Sequence, residues 1–167
     1  MSHDLEWFAL RVKPRTERLV ADALDGKGYE QFLPVHRERR RWSDRVTTIE
    51  TPLFGGYVFC RFDVQRRLPI LKTPGVLQVV GIGKTPYPID AAEIDALKVL
   101  VGSGLPVDPW PFLYIGQRIE IVGGPLAGAS GILMNVKGQD RLVVSITLLQ
   151  RSVSVEVPQS CAWPATA

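Results

Sequence analysis

The chain has 167 residues, of which 46% are hydrophobic and 22% are charged, a composition typical of a globular protein with one or two small domains. Its net charge of +3 argues against a protein that coats nucleic acid, but not against a local basic patch. The two cysteines and two histidines lack metal-ligand spacing, so no structural zinc site is expected.

The start of the chain gives no indication of export. MSHDLEW lacks the basic and apolar segments of a secretion signal, and no apolar run approaches about 18 residues. We therefore expect a cytoplasmic protein that does not span a membrane. Cys60 lies within an apolar run and is predicted to be a buried, unreactive thiol.

Hydrophobic periodicity divides the first hundred residues into strands and helices. A strand is predicted at 7–12, and a helix follows it because Leu19, Val20, Ala23 and Leu24 recur at helical spacing. The next predicted elements are an extended segment at 29–35, a hairpin with its turn at Ser43-Asp44, a strand at 57–62, a helix at 68–71, a strand at 76–80 and a helix opened by Asp90. This order predicts an α+β, ferredoxin-like sandwich with helices on one face of the sheet.

The composition of the sequence changes between Gly102 and Pro111, where ten residues include two glycines and three prolines. Neither residue type continues a helix, so we place a domain boundary here. The predicted division is a first domain at 1–104, a linker at 105–111 and a second domain at 112–163. In the second domain, strands predicted at 117–122, 131–136, 141–148 and 153–157 indicate a small β-barrel.

Four motifs follow one another along the chain in a specific order. They are Trp7-Phe8-Ala9-Leu10, the segment PLFGGYVF at 52–59, Thr73-Pro74-Gly75-Val76 followed by Val79-Val80-Gly81, and the glycine-marked segment at 116–132. Together they resemble the NusG family of transcription elongation factors, which has an N-terminal NGN domain and a C-terminal KOW barrel. Gly55 stands where that family usually has proline. The surrounding residues look more like specialised paralogs such as RfaH and the polysaccharide-operon antiterminators, so the paralog is favoured while a general factor stays open.

The resemblance implies a transcription elongation or antitermination factor that is not an enzyme and uses no cofactor or metal. Its NGN domain would bind the clamp helices of the large RNA polymerase subunit and lie near the DNA of the transcription bubble. Its KOW domain would recruit a ribosomal small-subunit protein or the termination factor Rho. In RfaH the KOW segment can fold as a helical hairpin, but the β-branched runs at 143–147 and 153–157 favour strands here.

Aromatic residues are the candidates for polymerase binding. Tyr57 and Phe59 are two positions apart in a strand and therefore share a face, and Trp7 and Phe54 are expected to border it. Such rings make good interface anchors. The alternative is that the same rings fill the domain core, as most aromatic residues do.

Basic residues of the predicted hairpin are the candidates for nucleic-acid binding. Arg37, Arg39 and Arg41 share one face of an extended arm, and Arg40 lies on the other beside Trp42, a combination suited to phosphate contact and base stacking. Lys72 and Thr73 are second candidates from their position in the family pattern. The alternative is a solvated charged hairpin without a ligand.

Two other function classes are weighed against these motifs. GIGKT at 81–85 resembles the end of a phosphate-binding loop, but Gln78 replaces the required first glycine, so nucleotide binding is rejected. Ser103 and Ser130 have no histidine placed near them, so no catalytic site is expected. A ribosome- or RNA-binding KOW protein is the main alternative, weakened because 116–158 contains only four basic residues.

Overall fold

The computed structural model describes residues 5–113 and 115–163. The chain divides into two compact units: the first comprises Met1–Leu33 and Phe54–Ala91, and the second comprises Pro34–Leu53 and Ala92–Ala167. The mixed α+β class expected from the sequence is confirmed.

The secondary structure elements follow closely the order expected from the periodicity. In chain order they are β1 (Glu6–Val12), α1 (Glu17–Gly26), β2 (Glu30–Phe32), β3 (Val35–Trp42), β4 (Arg45–Pro52), β5 (Tyr57–Phe62), a 3₁₀ turn (Val64–Arg66), α2 (Leu68–Leu71), β6 (Val76–Val79), β7 (Gly81–Ile82), β8 (Thr85–Pro86), α3 (Ala91–Gly102), β9 (Val107–Trp110), β10 (Gln117–Glu120), β11 (Ser130–Val136), β12 (Gln139–Ile146), a 3₁₀ turn (Thr147–Leu149) and β13 (Arg151–Glu156).

The first unit is built on an antiparallel sheet with the strand order β2-β5-β1-β6. One face of this sheet packs on α1, whose apolar residues recur at the spacing of a helical stripe. The core on this face consists of Phe8, Leu10, Val12, Val20, Ala21, Leu24, Val58, Cys60, Phe62 and Ile70. The opposite face carries Tyr57 and Phe59, because successive strand residues alternate between faces.

The second unit contains the β3–β4 hairpin, α3 and an antiparallel sheet with the strand order β10-β11-β12-β13-β9. The predicted hairpin turn at Ser43-Asp44 is confirmed, since Trp42 pairs with Arg45 across it. In the larger sheet, Lys137 and Gly138 both have positive φ, 52° and 81°, and join Val136 to its partner Gln139. Such a turn twists as the flanking strands do, and this part of the chain is β-structure as expected.

The stretch expected to be a linker, 105–111, contains an element that the sequence did not indicate. Its residues Val107–Trp110 form β9, which pairs with β13 at the edge of the sheet. Pro109 suggested an irregular segment, but an edge strand tolerates proline because one side of the strand needs no donor. The position of the domain boundary itself stays a prediction.

The GIGKT segment also takes a defined form. It lies in the small hairpin of β7 and β8, in which Gly81 pairs with Pro86 and Ile82 pairs with Thr85. A phosphate-binding loop requires a strand that leads through the loop into a helix, and this hairpin has a different geometry.

Within 5–113 and 115–163, no helix combines the length and the apolar character needed to cross a membrane.

Cys60 provides a test of the core of the first unit. It is fully buried, and burial together with the nearby charge of Glu30 raises its pKa from 9.0 to about 12. At pH 8 the raised pKa leaves native protein with roughly a thousandth of the thiolate that unfolded protein has at this position. Since the thiolate is the reactive form, Cys60 should react far more slowly in the folded protein.

We expect a Cys161→Ser variant, which retains only Cys60, to react with dithiobis-nitrobenzoate very slowly when folded and completely in urea. The release of the chromophore over time provides the measurement. Fast stoichiometric labelling of the folded variant would contradict the buried position of Cys60.

Candidate functional site

A tight turn at 54–57 leads into β5 and places Tyr57. The amide of Tyr57 donates a hydrogen bond of 3.1 Å to the carbonyl of Phe54, and Gly56 has a φ of 85°. Type II turns require a positive φ at the third position and favour proline at the second. Gly55 occupies that second position, so its departure from the family pattern keeps the turn possible but leaves the chain less restricted before folding.

Both backbone groups of Gly56 are held by other elements of the first unit. Its N–H donates to Oε2 of Glu17 at 3.3 Å, and its carbonyl accepts from the amide of Val12 at 2.9 Å. Glu17 lies in the first turn of α1, where the helix dipole favours a carboxylate, and is only 7% exposed. The sequence reasoning missed this residue. Its signal was an acid placed on the buried stripe of α1 that contains Val20, Ala21 and Leu24.

The four aromatic candidates differ in depth. Trp7, Phe54 and Phe59 are buried, whereas Tyr57 is half-buried. Phe59 packs edge-on against Phe54, with ring centroids 5.5 Å apart, and stacks with Phe32 at 6.3 Å. The structure therefore brings the candidates to one side of the sheet but uses Phe54 and Phe59 as packing beneath the surface.

The surface beside Tyr57 is polar. Arg11 pairs with Tyr57 across one side of β1 and with Gln78 across the other, so three side chains form a row over β5, β1 and β6. Arg11 and Gln78 are exposed. The sequence reasoning did not single out Arg11, because its place beside Tyr57 depends on the register of β1 and β5.

The arginines of the β3–β4 hairpin fall into two groups. Nε of Arg37 lies 3.3 Å from Glu50, and a guanidinium nitrogen of Arg40 lies 3.5 Å from Glu38. Arg39 and Arg41 instead face Thr48 and Val46 across the hairpin, are exposed, and have no acidic partner among the residues that the structure describes. Among the four hairpin arginines predicted to bind nucleic acid, Arg39 and Arg41 therefore have their charge most available for an anion.

Lys72 and Thr73 also differ. Lys72 is exposed, but Thr73 is buried, donating to the carbonyl of Pro69 at 3.0 Å and accepting from Nζ of Lys27 at 2.9 Å. In this structure Thr73 holds the end of α2 in place. The exposed cation Lys13 comes close to this turn, because its amide donates to the carbonyl of Gly75 at 2.9 Å.

The basic residues of the C-terminal sheet are few and partly engaged. Arg141 donates to Oγ of Ser154 at 3.0 Å, lies 3.3 Å from Glu156 and covers the ring of Trp110 at 4.8 Å. Arg118, Lys137 and Arg151 are the exposed basic residues of 116–158.

In 5–113 and 115–163, no group of three or more histidine, cysteine or acidic residues is arranged to hold a metal ion.

Comparison with known proteins identifies relatives of this architecture. The sequence model of the family described as transcription termination factor nusG matches residues 5–98. Among solved structures, NusG of Thermotoga maritima, described for its domain interaction, aligns with a TM-score of 0.53 and 20% identity over 93% of this chain and 94% of that one. This likeness concerns the fold alone. The MjSpt4:Spt5 complex aligns over 96% and 97% of the two chains with 16% identity, but with a TM-score of 0.32, too low to indicate a common arrangement. No curated protein matches significantly.

The turn at 54–57 predicts opposite effects for two adjacent substitutions. A Cβ atom at Gly55 would meet nothing within 4 Å, so Gly55→Ala should stabilise the protein by about 0.4–1 kcal/mol by restricting the unfolded chain. Gly56 has a φ of 85°, so Gly56→Ala should cost about 1–2 kcal/mol.

Urea unfolding of the full chain, followed by circular dichroism, measures both variants against the parent. Equal shifts of the two midpoints in the same direction would show that this turn has another conformation.

Proposed function

Since the chain belongs to the NusG family, we propose that it is a transcription elongation or antitermination factor that acts by binding RNA polymerase. The observation that carries the proposal is the family match over 5–98, which includes the turn at 54–57 and the β3–β4 hairpin. The role requires no covalent chemistry. A factor that binds the closed, processive state of the polymerase better than the open state shifts the population towards it.

The proposed polymerase-binding surface is the row formed by Tyr57, Arg11 and Gln78, which would dock on the clamp helices of the large subunit. A half-buried tyrosine offers a large apolar area at a small entropy cost and retains a polar end for hydrogen bonding. Trp7, Phe54 and Phe59 would support this surface from beneath. Because Phe59 is fully buried, Phe59→Ala should cost about 3–5 kcal/mol of folding stability, so this variant reports on folding rather than on docking.

Two basic surfaces are proposed to contact the DNA of the transcription bubble. In the hairpin, Arg39 and Arg41 are the main candidates, because the carboxylates of Glu50 and Glu38 already lie beside Arg37 and Arg40. Such exposed ion pairs are weak, so they reduce the contribution of these arginines without removing it. In the first unit, Lys72 and Lys13 are proposed for phosphate contact, and Thr73 is assigned the structural role described above.

The C-terminal sheet is proposed to act as a KOW module that recruits a second protein, for which a ribosomal small-subunit protein and Rho are the family precedents. Ile115 and Val122, which flank β10, are exposed apolar side chains and suit contact with a protein. Direct binding of RNA by this sheet is less favoured, because Arg141 is already engaged by Ser154 and Glu156. An operon-specific rather than a general role is proposed from Gly55 and its neighbours, and a gene position at the head of a long polysaccharide cluster would support it.

Substitution of Tyr57 tests the polymerase-binding surface. Removing a central aromatic anchor typically costs about 2 kcal/mol, so Tyr57→Ala should weaken binding to RNA polymerase by roughly 30-fold. Tyr87→Ala is the matched control, because Tyr87 is an exposed tyrosine of the same unit outside the proposed surface. Affinity for purified polymerase is measured for both folded variants, and parental binding by Tyr57→Ala would refute this docking surface.

Two double variants with the same change in charge test the hairpin. Arg39→Ala with Arg41→Ala should weaken binding to an assembled elongation complex. In a plot of log affinity against log salt concentration, the slope for this variant should become shallower by up to about 2. Each lost contact with a duplex phosphate reduces the slope by about 0.9. Arg37→Ala with Arg40→Ala should have a smaller effect on both quantities.

A salt series for the parent and the two double variants provides the comparison. Identical losses in both variants would indicate that overall charge, rather than the lack of an acidic partner at Arg39 and Arg41 within the described chain, determines the contact.

A further inference from the structure

The tip of the β3–β4 hairpin exposes a tryptophan. Trp42 is 54% exposed and pairs with Arg45 in the last residue pair before the turn at Ser43-Asp44. The other tryptophans of the described chain are more covered: Trp7 is 6% exposed, Trp110 lies under the guanidinium of Arg141, and Trp163 is half-buried. An indole in water loses the favourable burial that makes tryptophan useful in folding, so its position at a tip suggests contact with a ligand.

The residues around this ring are strongly basic. Residues 39–46 include four arginines and a single acid, Asp44. Directly opposite residues of an antiparallel pair lie on one face with Cβ atoms about 4.5–5.5 Å apart, so Arg45 stands beside Trp42. Arg40, two positions earlier on the same strand, shares that face, whereas Arg39 and Arg41 occupy the other. The tip thus combines one flat apolar ring with cations on both sides.

We propose that this hairpin tip binds single-stranded DNA, with Trp42 stacked on an unpaired base and with Arg45 and Arg41 at the flanking phosphates. The inference rests on the proposed function, which places the hairpin at the transcription bubble, and it specifies which form of DNA the tip recognises. Arg45 and Arg41 are suited to this role because neither has an acidic partner in the described part of the chain.

The preference for a single strand follows from the geometry of stacking. In a duplex, both faces of each base are covered by neighbouring bases, so an exposed ring gains contact only after a base has been unpaired and unstacked at a cost. An unpaired strand offers its base faces without that cost, and alanine substitution of a stacking aromatic typically weakens binding by roughly 5- to 100-fold. The phosphate contacts serve either form of DNA, so Trp42 alone would provide the discrimination.

The test compares a fluorescently labelled single-stranded oligonucleotide with the duplex of the same sequence, using the full chain. We expect Trp42→Ala to weaken binding to the single strand by roughly 5-fold or more. Duplex binding and its salt dependence should stay near those of the parent. The variant should also lose part of the quenching of tryptophan fluorescence that binding of the single strand causes in the parent. Trp42→Phe should keep most of the single-strand affinity, since phenylalanine also stacks. Val46→Ala is the matched control, because Val46 is an exposed apolar residue of the same hairpin on the opposite face.

Three results would overturn the inference. In the first, Trp42→Ala binds the single strand with the affinity of the parent. In the second, Trp42→Ala loses the same affinity for the single strand and for the duplex. In the third, the parent binds neither form of DNA more tightly than a double variant with Val46→Ala and Trp42→Ala. Circular dichroism confirms that each variant is folded. A parent that binds polymerase but shows no preference for single strands would refute this inference alone, whereas one that binds single strands but not polymerase would refute the proposed function.

Discussion

The two hydrogen bonds made by the N–H and carbonyl groups of Gly56 are the constraint on which the arrangement of the first unit depends. Through them a single residue joins the first turn of α1, by way of Glu17, to the end of β1, by way of Val12. They lie next to the pair formed by Arg11 and Tyr57, and so fix where β5 begins against β1. Because a shift by one residue would turn every β5 side chain to the other face, this turn decides which aromatic side chains are presented and which are buried.

The depth of the aromatic residues then determines how they can serve an interface. Phe54 and Phe59 form a rigid packed layer, with Phe59 in contact with Phe32 as well, while Tyr57 remains at the surface. A surface side chain supported by such a layer loses little freedom when a partner binds. The hairpin of the second unit is built differently, since its arms are largely exposed and its ion pairs, such as that of Arg37 with Glu50, lie on the surface.

Local patterns were enough to predict most elements, because alternation, helical spacing and turn residues act over a few positions. They identified α1, the hairpin turn at Ser43-Asp44 and the strands of the C-terminal sheet, but not β9, whose pairing with β13 is a long-range contact. The site was less predictable for the same reason. That Tyr57 and Phe59 share a face follows from the sequence, and the pairing of Arg37 with Glu50 follows once the turn is placed at Ser43-Asp44. The different depths of the two aromatic rings and the hydrogen bond from Lys27 to Thr73 depend instead on residues distant in the chain.

The proline in β9 has a consequence for the behaviour of the protein at high concentration. Strands at the edge of a sheet present unpaired amide groups, which can template the addition of a strand from another molecule. β9 is such an edge, and Pro109 lies within its four residues, opposite Val153. Proline cannot donate a hydrogen bond, and its ring hinders the approach of a further strand. Pro109, which contributed to the prediction of a linker at 105–111, therefore helps to protect the C-terminal sheet against edge-to-edge aggregation.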